Sequence, residues 1–405
     1  MEAAAARLKA RSVAVLGDVM DVDCFGGAPR QFFDAAKRKN FAQHAWRVDV
    51  GQLRWPRIAW NVMQVLRGRR PRGFQYSSAC RRQSLAQIPE AWLSTEVISF
   101  QQHFPPIAPL KAAGGSLNLY IDATYEQLFP AYQLDRFLSP QVRAEAIAYE
   151  RELFQSADRV IASQPWTASS LANDYKLPPA KCATILPAPN LIVHPGVAPR
   201  LPGRAGVDRP VVFGFIGKDW RRKGLQFQLA VVEDLRRRGW QARVRAIGFS
   251  ATDLDFPCPP WLECLGFIDK EKEFGPFLHS CDLGCLFSVA EAAGIAVLEF
   301  LAAGVPVAGF TVNGLRFLLP PDAGFRFEAI ASAADVADRL DEWLKNEAYQ
   351  QELRDNAARW SPLLTWDRCV EEFREFWDTG AIEAPVSPSL GLPGQRRNGH
   401  TPPGT

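Results

Sequence analysis

No stretch of the chain reaches the ~20 consecutive apolar residues that a membrane-spanning helix needs. The early apolar run at residues 13–16 is far too short for a signal-peptide core, so the sequence predicts neither a span nor export and points to a cytoplasmic chain. There is no Cys-x-x-Cys pair among the eight cysteines, and none of the five histidines is placed to complete a zinc pattern with them. Cys281 and Cys285 are four apart, but they lie in an apolar run that reads as a buried strand. The expectation is therefore free structural thiols in a reducing compartment and no metal site. A Gly-x-Gly-x-x-Gly turn is also missing, which argues against a dinucleotide-dependent oxidoreductase.

Net charge is small, +3, but it is unevenly spread. Residues 1–205 carry 25 Lys+Arg against 16 Asp+Glu, and the remainder carries 22 against 28. A basic first half beside an acidic second half implies different partners for each. Basic surface suits anionic lipid headgroups or acidic glycans, which leaves open a peripheral contact at the inner face of a membrane. The densest basic run holds Arg67, Arg69, Arg70 and Arg72, followed by Arg81 and Arg82. It reads equally as a solvated loop and as a binding patch. No nucleic-acid-binding motif accompanies it, so nucleic acid is not an expected partner.

The 405 residues are enough for two cores. Short apolar runs alternate with amphipathic segments in both halves, the pattern of parallel α/β layers. Strands are predicted at 13–16, 97–100, 117–121, 159–162 and 182–186, with helices at 145–157 and 167–175. A Pro- and Gly-rich stretch follows. The pattern then restarts, with strands at 211–216, 243–247, 283–287 and 305–310. Helices are predicted at 225–238, 292–303, 333–346, 349–360 and 366–377. This gives a Rossmann-like domain over 1–190, a linker over 191–210 and a second Rossmann-like domain over 211–362. A crossover helix over 363–380 and a disordered tail over 381–405 complete the chain. Two doubly wound parallel sheets place ligands at the carboxyl ends of their strands, so a site is expected in a cleft between the domains.

The strongest chemical signal is the segment 288–307, SVAEAAGIAVLEFLAAGVPV. A buried strand ends at Ser288, Glu291 sits in the turn, and Ala292, Ala293, Gly294 and Ile295 open a helix that carries Glu299. Small residues at a helix start let a ligand reach backbone amides, and the unpaired amides and dipole of that end attract phosphate. The expected ligand is a diphosphate bearing a sugar, with Glu291 on sugar hydroxyls and Glu299 on the ribose. Two glutamates eight residues apart on one helix would stand about 12 Å apart. That is too far for the carboxylate pair of a glycosidase.

A second motif, FGFIGKDWRRKG at 213–224, ends a strand in a basic turn of Lys218, Arg221, Arg222 and Lys223. Lysine supplies a compact charge to phosphate, and arginine a fork. With the Glu-x7-Glu spacing and the Ala-Ala-Gly-Val-Pro-Val close, the chain resembles glycosyltransferase family 4, which has the GT-B fold and mostly retaining enzymes. The resemblance implies Lys218 and Lys223 on the diphosphate of a nucleotide-sugar donor, with Arg222 beside them. It also implies main-chain contacts to the base near Phe267 and Ile268. Gly26 and Gly27 resemble the glycine-rich turn that this family brings to its substrates. Asp122, which follows a predicted strand end and so faces the expected cleft, falls where relatives commonly have His and reads as orienting either the acceptor hydroxyl or the donor sugar. His103 follows another predicted strand end and reads either as an acceptor contact or as a satisfied loop histidine. Glu150, Ala157-Asp158 and residues 163–166 also resemble the family's helix–strand step before the linker.

The function implied is metal-independent transfer of a sugar to a glycan or lipid-linked acceptor, as in surface polysaccharide synthesis, with no cofactor beyond the donor itself. The Asp21-Val22-Asp23 pair comes too early in the chain to serve as a metal-holding Asp-x-Asp and reads as loop. A non-catalytic relative that binds glycan or nucleotide remains a second reading.

Overall fold

The structure, a computed structural model, describes residues 9–190 and 206–386. Most of the expected linker (191–205) and most of the expected disordered tail (387–405) lie outside the described residues. The chain divides into two compact units. One comprises the residues up to Asn190 together with Thr365–Pro385, and the other runs up to Leu364.

The first unit is built on β1 (Arg11–Ala14), β2 (His44–Ala45), β3 (Glu96–Ser99), β4 (Ser116–Ile121), β5 (Arg159–Ala162) and β6 (Cys182–Thr184). All its pairings are parallel, in the order β2-β1-β3-β4-β5-β6. Its helices are α1 (Ala28–Arg38), α2 (Arg54–Leu66), α3 (Ser78–Leu85), α4 (Ile107–Ala112), α5 (Tyr125–Ala131), α6 (Pro140–Ser156) and α7 (Pro165–Asn173). Side chains alternate across the pleat. Val13, Ile98, Tyr120 and Ile161 enter the core on one face of the sheet. Ala14, Val97, Leu119 and Val160 enter the core on the other. Both faces are covered, which is why these strands read as nearly continuous apolar runs.

The second unit repeats the plan with β7 (Val211–Ile216), β8 (Ala242–Ile247), β9 (Leu262–Cys264), β10 (Leu283–Leu286), β11 (Val307–Phe310) and β12 (Gly324–Phe327). The order is β12-β11-β10-β7-β8-β9, again all parallel. Its helices are α8 (Leu225–Arg237), α9 (Phe274–His279), α10 (Ile295–Ala302), α11 (Leu315–Leu318), α12 (Ala333–Lys345) and α13 (Glu347–Trp360). One core gathers Phe213, Phe215, Leu229, Val244, Phe310 and Trp343.

The last helix, α14 (Trp366–Thr379), belongs to the first unit. Its apolar stripe lies on α1, where the Phe373 ring is 4.9 Å from that of Phe32. Ion pairs from Arg38 to Asp367 and from Lys39 to Glu371 flank the seam. Among the described residues, no helix is long and apolar enough to cross a membrane. All eight cysteines carry free thiols.

In each sheet the chain first winds one way and then returns to the other side of its first strand. The reversal falls between β1 and β3 in one unit and between β7 and β10 in the other. Loops leaving the carboxyl ends of such neighbouring strands open a crevice suited to a ligand.

Candidate functional site

In the second unit the two sequence motifs are the two loops at this reversal. The loop after β7 carries Gly217 to Gly224, and the loop after β10 carries residues 287–294. They are stitched together by backbone and side chain. Val289 N donates to Arg222 O at 2.9 Å, and Arg222 Nη1 donates to Ala290 O at 2.6 Å. The second loop also closes tightly on Gly224. A Cβ there would lie 2.0 Å from Phe287 O, and the residue has φ +76°. Only glycine fits both demands.

This stitching brings Lys223 and Glu291 together. Lys223 Nζ donates to Glu291 Oε2. Arg222 Nη1 reaches the same oxygen at 3.3 Å, and Ser288 Oγ at 3.4 Å. Glu291 is buried. Burial pushes its carboxyl up, but the Lys223 and Arg222 charges outweigh that and hold it below the usual carboxylate range. Its main chain is pinned from a third loop, after β11. Glu291 N donates to Asn313 Oδ1 at 3.4 Å, and Gly314 N donates to Glu291 O at 3.0 Å. The Lys223 stem lies against Gly217, where a Cβ would sit 2.8 Å from Cγ of that lysine.

The helix after Glu291 starts later than the sequence suggests. α10 begins at Ile295, with Gly294 before it at φ 58°, and no side chain caps it. Ala292 and Ala293 are loop, and the preceding strand ends at Leu286 rather than at Ser288. Leu315 and Leu318 of α11 fill the space beside Gly294, so a Cβ there would fall 2.4 Å from Leu318 Cδ1. This packing holds the left-handed turn and delays the helix. The 12 Å separation of Glu291 from Glu299, which assumed one continuous helix, does not apply. Glu299 does lie on α10, and it is buried.

Lys218 is exposed and does not join the Glu291 cluster. Its Nζ stands 5.6 Å from the centre of the Phe267 ring, a cation–π contact. Phe267 is itself exposed, and Ile268 beside it is half-buried. Both follow β9 on a loop linked to the end of β8, where Gly248 N donates to Gly266 O at 2.8 Å. Arg221 turns away and pairs with Asp255 at 2.6 Å.

In the first unit, Gly26 (φ 68°) and Gly27 (φ 94°) form the turn that opens α1. Asn190 Nδ2 fixes it by donating to Gly26 O at 2.7 Å. A Cβ on Gly27 would fall 2.9 Å from Val22 O. The Asp21-Val22-Asp23 segment is a turn in which Asp23 N donates to Asp21 Oδ1 at 2.9 Å. His103 lies in the loop after β3, with its ring 6.1 Å from that of Tyr76. Burial, and then the charge of Arg81, lower its pKa to about 4, so it is neutral at pH 7. The loops after β1 and β3 are tied where Leu16 N donates to Gln101 Oε1 at 3.0 Å. Asp122 is exposed immediately beyond β4, and its carbonyl accepts from Thr167 Oγ1 at 2.5 Å.

Glu150, read only as part of a helix–strand step, lies on α6 and is fully buried against the first residue of α5. It accepts from Tyr125 N at 2.9 Å and from the Tyr175 hydroxyl. Asn313 went unread altogether. A lone Asn-Gly pair marks a turn but gives no sign of a site until the fold sets it against Glu291.

Residues 205–360 match a family model described as glycosyl transferases group 1. Over 252 residues the chain is 25% identical to the D-inositol 3-phosphate glycosyltransferase of Gordonia bronchialis, a match covering 57% of this chain and 54% of that protein. The chain thus spans about half the length of this curated relative. A sucrose-phosphate synthase from Thermosynechococcus elongatus shares the architecture over 92% of this chain and 98% of its own, at TM-score 0.66 and 14% identity. A TarM variant from S. aureus, solved with fondaparinux, α-GlcNAc-glycerol and UDP, matches 70% of this chain and 55% of its own, at TM-score 0.51 and 14% identity. The two doubly wound parallel units are those of the GT-B fold. In sequence over its second unit, and in fold over nearly its whole length, the chain is similar to GT-B glycosyltransferases.

Proposed function

We propose that this chain is a retaining glycosyltransferase of the family 4 type. It moves a hexose from a nucleotide diphosphate donor to a glycan or lipid-linked acceptor, in the building of a surface polysaccharide. The observation that carries the reading is the meeting of Lys223 and Arg222 with Glu291 at the β7–β10 reversal. An ammonium has three donors, so Lys223 can hold Glu291 and a phosphate oxygen at once. The uncapped start of α10 offers backbone amides to the same diphosphate. Lys218 supplies a second charge, and Phe267 and Ile268 lie beside the base. Glu291 accepts from sugar hydroxyls, and Glu299 from the ribose.

In the reaction the anomeric carbon–oxygen bond to the diphosphate breaks, and its electron pair stays on the departing phosphate. The acceptor oxygen bonds to the same face of the sugar, and its proton passes to a phosphate oxygen. Lys218, Lys223, Arg222 and the α10 amides stabilise the charge that grows on the leaving group, which is where preorganised donors lower a barrier most. No step requires a metal, so EDTA should leave turnover unchanged. In the first unit, Asp122 orients the acceptor hydroxyl or the donor sugar, neutral His103 addresses the acceptor, and the Gly26-Gly27 turn gives substrate access to backbone.

The test is a screen of nucleotide sugars for transfer or donor hydrolysis, with the anomeric configuration of any product read by NMR. A product of unchanged configuration is expected. An inverted product contradicts the mechanism. Nucleotide binding without turnover on any donor would instead favour the non-catalytic reading.

A further inference from the structure

Helix α2 (Arg54–Leu66) is turned inside out. At 100° per residue, its exposed apolar side chains fall within an arc of about 160°. They include Trp55, Ile58, Val62, Met63, Val65 and Leu66, with Trp55 73% and Leu66 75% exposed. The opposite side, packed on the unit, holds Gln64 buried and Asn61 and Trp60 half-buried. Trp60 meets Phe74 edge-on at 6.1 Å. A surface helix ordinarily buries the apolar arc and wets the polar one. Here an apolar strip more than three turns long faces outward, and strips of this kind mark interaction surfaces.

The charge around the strip has one sign. Residues 50–89 contain eight arginines and no Asp, Glu or Lys. Arg54 stands at one end of the strip and Arg67 and Arg72 beyond the other, and neither these three nor Arg57, on the other side of the helix, forms an ion pair with a described residue. A cavity of about 460 Å³ borders the helix between Ile58, Phe74 and Phe137, with Arg57 and Arg72 in its wall. The Arg72 guanidinium lies 4.8 Å from the centre of the Phe137 ring, which is also exposed.

We infer that the outward face of α2 docks on an anionic lipid bilayer. The helix lies in the plane of the interface, its apolar strip enters the acyl boundary, Trp55 sits at headgroup depth, and the arginines engage lipid phosphates. A second copy of the chain is a poorer occupant, because a two-fold contact would set this acid-free arginine cluster against itself. Six of the 25 Lys and Arg of residues 1–205 lie on this helix and the turn after it, with no acidic residue among them. The inference does not depend on the transfer reading, since binding to vesicles is measured without turnover.

The experiment is co-sedimentation of the full chain with phosphatidylglycerol-containing vesicles and with pure phosphatidylcholine vesicles. Binding is expected to the first, weakened by salt, and only marginally to the second. Val62→Glu with Leu66→Glu should cut binding by roughly tenfold or more and leave the thermal midpoint unchanged, because both side chains are exposed. Arg54→Gln and Arg67→Gln should each lower binding by roughly fivefold. Failure of the parent chain to sediment, or parent-like binding by the double glutamate variant, overturns the proposal. So does light scattering that shows a dimer which the double variant converts to monomer, since the face would then belong to a second copy.

Discussion

Lys223 Nζ donates to Glu291 Oε2, although the two residues are 68 positions apart in the chain. They meet because β7 and β10 are neighbours at the point where the strand order reverses, so the loops that follow them share one crevice. The pair keeps a carboxylate ionised inside the unit, and it holds an ammonium at the place proposed for a diphosphate.

Glu291→Gln keeps the shape of the side chain and removes its charge. Losing one preorganised polar contact in an active site costs on the order of 10²–10³ in kcat, and a loss of that size is expected here. The thermal midpoint should move little, because Lys223 and Arg222 are both partly open to water. Steady-state turnover and a melting curve on the same preparation check this, and near-parent turnover would remove Glu291 from the chemistry.

Gly224→Ala attacks the stitching rather than the chemistry. The left-handed backbone alone costs roughly 1–3 kcal/mol for a residue with a side chain, and the approach of Phe287 O leaves a Cβ no room. A loss of at least about 2 kcal/mol in urea unfolding is expected. Gly239→Ala is the control, since a Cβ there meets nothing within 4 Å and the cost is backbone strain alone. Equal losses in the two variants would show that the loop contact contributes nothing.

Glu150 gives the first unit a pH signature. Burial raises its carboxyl from 4.5 to about 8, against the pull of the Tyr175 and Tyr125 hydrogen bonds. Between those values the unfolded chain has lost a proton that the folded chain keeps. The stabilisation is therefore full below 4.5, declines as pH rises, and is gone above about 8. Urea midpoints from pH 5 to pH 9 should show this decline in the parent and a flatter profile in Glu150→Gln. Identical slopes would mean that the carboxyl titrates normally.

Lys218 and Phe267 separate phosphate from base. Lys218→Ala should weaken a nucleoside diphosphate by roughly tenfold, about 1.4 kcal/mol, and leave the bare nucleoside unaffected. Phe267→Ala should weaken both alike. Competition binding with the two ligands distinguishes the outcomes, and a Lys218→Ala effect on the nucleoside would place that lysine on the base.

Much of the second unit was legible because its chemistry sits in two contiguous motifs and its strands are continuous apolar runs. The start of α10 was not, since the left-handed turn at Gly294 is held by Leu315 and Leu318, remote in sequence from the strand before it. Asn313 acts on Glu291 only through tertiary contact. In the first unit, helices α1 to α5 went unread. α2 shows why, because its apolar periodicity is real but points away from the core, so the pattern does not mark a packed helix. The Arg67–Arg72 run, ambiguous in sequence between loop and patch, is the turn that leaves this helix.

The most direct test of the central claim is calorimetric titration of UDP and GDP into the parent, Lys223→Ala and Arg221→Ala. The two substitutions remove the same charge from one turn, but Lys223 contacts Glu291 while Arg221 pairs with Asp255. The account predicts that one nucleotide binds the parent, that Lys223→Ala weakens it by about 10–100-fold, and that Arg221→Ala binds like the parent. Equal affinity in all three proteins, or an equal loss in both variants, would contradict it.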